Sequence, residues 1–75
     1  MGIPNERFTV GDVWIDYDHE TVMFRFDFKS RRFFRKFYGE SREDEVPHNN
    51  ELLSSAIRFG DEIDANTYLT GKGPG

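Results

Sequence analysis

Residues 22–29 read Val-Met-Phe-Arg-Phe-Asp-Phe-Lys. Val22, Phe24, Phe26 and Phe28 alternate with Met23, Arg25, Asp27 and Lys29, a period of two held over the whole stretch. Only an extended strand puts all four large apolar groups on one side. The pattern predicts a strand with one face against a core and the other mostly wet, the signature of an antiparallel sheet. A lone strand buries nothing, so the rest of the chain must supply its partners and its cover.

Upstream, Phe8 and Val10 alternate as in a strand, and the apolar phase restarts on Val13, Ile15 and Tyr17 after Gly11-Asp12. A slip of one residue exchanges the two faces of a strand, so Gly11 is a candidate bulge or bend. Residues 16–21, Asp-Tyr-Asp-His-Glu-Thr, are rich in groups that hydrogen-bond their own backbone and predict a loop closing a hairpin between 13–17 and 22–28. Downstream, residues 29–40 (KSRRFFRKFYGE) hold Lys29, Arg31, Arg32, Arg35 and Lys36 together with Phe33, Phe34, Phe37 and Tyr38. As a helix, Ser30 caps the start, Gly39 the end, and the aromatics share a stripe. As a third strand, Lys29-Ser30 turns the chain back and the aromatic content favours extension. The pattern leaves residues 31–38 open between the two.

Residues 39–50 form a polar connector, and Pro47 disfavours helix just before it. Asn49 or Asn50 caps a helix beginning near Glu51, with Leu52, Leu53, Ala56 and Ile57 as its apolar stripe, Phe59 at its end and Gly60 as its stop. Residues 61–71 read as a short extended return carrying Ile63, Tyr68 and Leu69. The expected fold is α+β: an antiparallel sheet of about three strands packed against one C-terminal helix, in a single domain over 1–75, with residues 1–6 and 70–75 flexible. A chain of 75 residues buries a modest share of its surface, and its twelve aromatic residues compensate by their size.

Several chemistries find no support. The absence of cysteine removes disulfides, thiolate nucleophiles and zinc fingers, and fits a cytoplasmic or other reducing intracellular compartment. No run approaches eighteen apolar residues, so no membrane association is expected. His19 lies among Asp16, Asp18 and Glu20, but the spacing lacks the glycine and terminal glutamate of a calcium loop and reads as a solvated turn. His48 reads as a surface residue ahead of the helix. Asp61, Glu62, Asp64 and Asn66 read as a charged loop. The Gly-Lys-Gly at 71–73 has no strand before it and no helix after it, so it is no phosphate loop. Ser54 and Ser55 have no adjacent base. No enzyme, cofactor or metal site is expected.

The charge pattern points to binding. Residues 1–24 carry Arg7 against Glu6, Asp12, Asp16, Asp18 and Glu20; residues 25–36 carry six basic groups against Asp27; residues 37–75 are again acidic. A basic centre between acidic flanks steers a partner of either sign, or is neutralised within the fold. The first reading is a protein-binding or self-associating domain. On it, Trp14, Met23, Phe34 and Tyr38 supply apolar contact on the outer sheet face and Arg25 supplies a charged rim, residue types enriched at interfaces. The simpler possibility is that the C-terminal segment folds over this patch. The alternative reading is binding of RNA or single-stranded DNA, with Arg25, Lys29, Arg31, Arg32, Arg35 and Lys36 on phosphates and aromatics stacking on bases. The acids Glu40, Glu43, Asp44, Glu45 and Glu51 either pair with these cations or form a surface of their own.

Overall fold

The computed structural model describes residues 2–71. Its sheet has five antiparallel strands, β1 (Val13–Tyr17), β2 (Val22–Asp27), β3 (Arg32–Phe37), β4 (Asp44–Val46) and β5 (Asp61–Ile63), in the order β4-β3-β2-β1-β5. Two helices, α1 (Glu51–Phe59) and α2 (Ala65–Thr70), cover its two faces. The expectation of about three strands and one helix is therefore corrected to five strands and two helices. The alternation in residues 22–29 does form the centre, with β1 and β3 on either side.

Residues 31–38 resolve as β3. Its register with β2 places Phe33, Arg35 and Phe37 opposite Phe26, Phe24 and Val22, and puts Phe34 and Lys36 opposite Arg25 and Met23. The turn between them is built by Asp27: its backbone carbonyl accepts from Arg31 N at 2.8 Å, and its carboxylate accepts from Ser30 Oγ at 2.6 Å. Arg31 closes the turn at φ 62°, the left-handed region. A helix over 31–38 loses because pairing with β2 satisfies the same backbone groups and buries Phe33 as well.

Phe8 does not extend a strand. Residues Asn5–Thr9 form a 3-10 helix, and Phe8 packs edge-on to Phe26 with ring centroids 5.3 Å apart. The core lies between the sheet's inner face and α1. It comprises Val13, Ile15, Val22, Phe24, Phe26, Phe33 and Val46 from strands, Leu53 and Ala56 from α1, and Ile3. α1 begins as its capping residue requires: Asn50 Oδ1 accepts from Leu53 N at 2.9 Å. Phe59 does not continue the apolar stripe and is 60% exposed. Residues 2–6, expected as a flexible lead-in, run beside the end of α1, where Gly2 N donates to Gly60 O at 2.8 Å and Ile3 N to Ile57 O at 2.7 Å. Gly60 is fixed by close approach: a Cβ there would stand 2.6 Å from Ala56 O and 2.8 Å from Asp16 O.

The extended return expected over 61–71 is divided. Asp61–Ile63 adds β5 to the free edge of β1, pairing Ile63 with Trp14 and Asp61 with Asp16. Asp64 then caps α2, its Oδ1 accepting from Thr67 N at 2.7 Å. The expected mobility of the last residues concerns mainly 72–75, which lie outside the described residues.

Candidate protein-binding surface

The outer face of the sheet carries Trp14 and Asp16 from β1, Met23 and Arg25 from β2, and Phe34 and Lys36 from β3, as the registers require. α2 lies across part of this face. Its Tyr68 is 2% exposed, and its last carbonyls meet the ammonium of Lys36: Nζ donates to Tyr68 O at 2.7 Å and to Leu69 O at 3.3 Å. A cation at unsatisfied helix-terminal carbonyls supplies both hydrogen bonds and a favourable interaction with the helix dipole. The same ammonium stands 5.0 Å from the Tyr68 ring centroid.

A second fastening comes from the connector between β3 and β4. Glu43 accepts from Arg25 Nε at 3.2 Å and Nη2 at 2.6 Å, a fork geometry, and from Tyr68 Oη at 2.7 Å. The Arg25 hydrogen bonds, aided by the Tyr68 hydroxyl, hold the Glu43 carboxyl below its ordinary value. Burial first, and then the bond to Glu43, push the Tyr68 phenol above its ordinary range. Arg25 also lies 4.3 Å over the Phe34 ring. Nearby, Tyr38 Oη donates to the buried carboxylate of Asp16 at 2.5 Å; burial first, then Asp16, raise the Tyr38 phenol. The outer face is thus a packed support whose polar groups are hydrogen-bonded to one another.

Met23 is 0% exposed, so the expectation that it forms part of an open patch is corrected: the C-terminal segment folds over this part of the sheet. Trp14 is partly buried and is a wall shared by two grooves. One, of about 410 Å³, is lined by Trp14, Arg25, Glu43, Tyr68 and Leu69, among others; the other, of about 610 Å³, is lined by Trp14, Arg7, Glu62, Ile63 and Asp64, among others. Ala65 touches both grooves. Leu69 stands beside them at 73% exposure. Sequence reasoning places Tyr68 and Leu69 on an extended return and misses them as site residues because it misses α2; the available signal is Asp64, a capping residue read only as a loop acid.

The basic stretch does not assemble into a phosphate track. Lys36 is 6% exposed and bound to α2, Arg25 is engaged by Glu43, and Arg32 lies 3.6 Å from Glu45. Arg35 points to the opposite sheet face from Arg25, with its guanidinium 5.1 Å from the Phe37 centroid. Arg31 stacks over Phe28 at 4.4 Å in the β2–β3 turn, near Lys29. Among the described residues there is no group of three or more His, Asp or Glu side chains placed to hold a metal, and no helix long and apolar enough to cross a membrane.

Comparison with known proteins identifies the family of this chain. The family model described as the Tis1 immunity protein matches residues 1–72. The immune protein Tis1 of Pseudomonas aeruginosa (strain UCBPP-PA14) is 43% identical over 67 residues, which is 88% of this chain and 87% of that protein. A chain in the crystal structure of the complex between the Type VI effector Tas1 and its immunity protein has the same fold, with a TM-score of 0.93, 39% identity and 100% of both chains covered. This chain belongs to the Tis1 immunity protein family and is a non-catalytic protein-binding domain.

Proposed function

We propose that this chain is the immunity partner of a Tas1-like Type VI effector and acts by forming a complex with it. The observation that carries this reading is likeness over the full length of a chain taken from such a complex, at 39% identity. The structure supports it with a partly buried tryptophan on a hydrogen-bonded support, a surface that needs little reordering to bind. The chemistry is steric and electrostatic: a bound immunity protein masks effector surface and makes no covalent change. The test is co-production of the chain in bacteria with Tas1, or with the Tas1-like effector of its own organism. The expected result is restored growth together with co-purification of the two proteins. Unrelieved growth arrest with no co-purification, for both effectors, overturns the reading.

A further inference from the structure

We infer that the effector docks on the α2 side of the sheet, with Trp14 and Leu69 receiving an aliphatic side chain and the β5–α2 rim receiving lysine or arginine. This rests on the reading of the chain as an effector-binding immunity protein. Three observations select the face. Over the inner face, α1 and the N-terminal segment bury the core residues and leave Tyr17 and Phe37 partly exposed. The outer face is only partly closed, because α2 has six residues and leaves Trp14 as the wall between two contiguous grooves. Leu69, which α2 holds out to solvent at 73% exposure, gives this concave region an apolar edge. A partly buried aromatic in a preformed depression is the usual anchor of a protein interface.

The charges select the occupant. The cations near the grooves are spent within the fold: Arg25 on Glu43, Lys36 on the α2 carbonyls, and Arg7 on Glu62 through Nε at 2.9 Å. Among the described residues, the rim acids Asp61 and Asp64 are in no ion pair. Asp61 and Asp64 are exposed, and the bond from Thr67 holds the Asp64 carboxyl ionised below its ordinary value. Asp61 stands across from Asp16 in the β1–β5 register; Asp16 is buried and takes the Tyr38 hydroxyl, so the carboxylate that this edge presents to solvent is Asp61. The rim presents the exposed carboxylates of Asp61 and Asp64, so it fits a cationic surface and disfavours an acidic one.

The test is calorimetric titration of the effector that binds wild-type chain into four variants, each first checked by thermal melting. Trp14→Ala is expected to weaken binding by roughly 100-fold and Leu69→Asp by at least roughly tenfold. Leu69 is exposed in the last turn of α2, so L69D lowers the melting temperature only slightly, and the loss of binding in a variant that stays folded separates docking from folding. Asp61→Lys is expected to weaken binding by roughly tenfold, with a melting temperature close to wild type because Asp61 is an exposed edge-strand residue. Phe59→Asp, on the far side of the sheet, is expected to bind as wild type does. If L69D and D61K bind like wild type, or if F59D alone abolishes binding, the docking face is wrong although the immunity reading stands. If the wild-type chain binds neither effector, both fall.

Discussion

Lys36 Nζ lies 2.7 Å from the carbonyl oxygen of Tyr68, joining the middle of β3 to the end of α2. One buried ammonium therefore ends a helix and holds it on the sheet. α2 is too short to be stable by itself, and its sequence is poor in strong helix formers apart from Ala65 and Leu69. Its persistence rests on the Asp64 cap, the Lys36 contact and the burial of Tyr68.

Lys36→Met keeps the apolar stem and removes the ammonium, so it should free α2 while leaving the sheet intact. The expected loss is about 1–3 kcal/mol, since two helix-terminal carbonyls lose a charged donor. Urea denaturation gives the magnitude. Hydrogen exchange should show faster exchange over residues 65–71 with little change in β2. Equal protection of α2 in the variant would show that Tyr68 packing alone retains it.

Glu43 makes the structure sensitive to acid. Its carboxyl is depressed in the fold by Arg25, so its stabilising contribution is complete above the ordinary value of 4.5 and is lost as pH falls below it through the depressed folded value. Glu43→Gln should lower stability at neutral pH by about 1–2 kcal/mol, a figure kept small because the pair is partly solvated. It should also flatten the decline below pH 4.5. Tyr38 and Tyr68 act at the opposite end: their phenols are raised, so stability is complete below 10.0 and falls as pH rises above it. Chemical denaturation at stepped pH measures both limbs. An unchanged acid limb in the glutamine variant would remove Glu43 from this role.

Gly60→Ala should be among the most damaging small changes in the chain. The added methyl meets two backbone oxygens, from Ala56 and Asp16, neither of which moves without disturbing α1 or β1. An expected loss of about 2–4 kcal/mol follows from overpacking against backbone. A melting temperature within a degree of wild type would show that the α1–β5 junction yields more easily than its geometry implies.

The dispersal of the basic residues predicts weak binding to nucleic acid. Titration of a short single-stranded RNA at low salt should produce no saturable response in amide spectra over residues 25–38. Site-specific shifts there that fade with salt would restore the phosphate-binding alternative.

What was legible in the sequence followed periodicity and capping. Val22 to Asp27 form a strand because their alternation lasts long enough to admit no other structure, and α1 follows Asn50 because its amide oxygen meets Leu53 N. β4 and β5 have three residues each, too few for a period; β4 is hidden in the acidic connector and β5 reads only as the start of a longer extended return, because edge strands tolerate charge. α2 was hidden because Asn66, Thr67 and Thr70 are ordinary turn residues, and only tertiary contacts decide their state. Of the candidate site, Trp14 and Arg25 are placed on the outer sheet face by parity alone, as the registers show. Met23 shares that parity, but its burial depends on a helix that parity does not reveal. Lys36 looked like a phosphate ligand for the same reason: a lysine's role depends on which carbonyls reach it.

The most direct test of the central claim is calorimetric titration of the purified wild-type chain into the purified Tas1-like effector of its own organism, with Tas1 itself as a second titrant. The account predicts a saturable one-to-one complex with at least one of them, on the order of nanomolar in dissociation constant for a stable, standard-sized interface. No heat of binding with either effector at micromolar concentration, from a chain whose melting curve shows it folded, would contradict it.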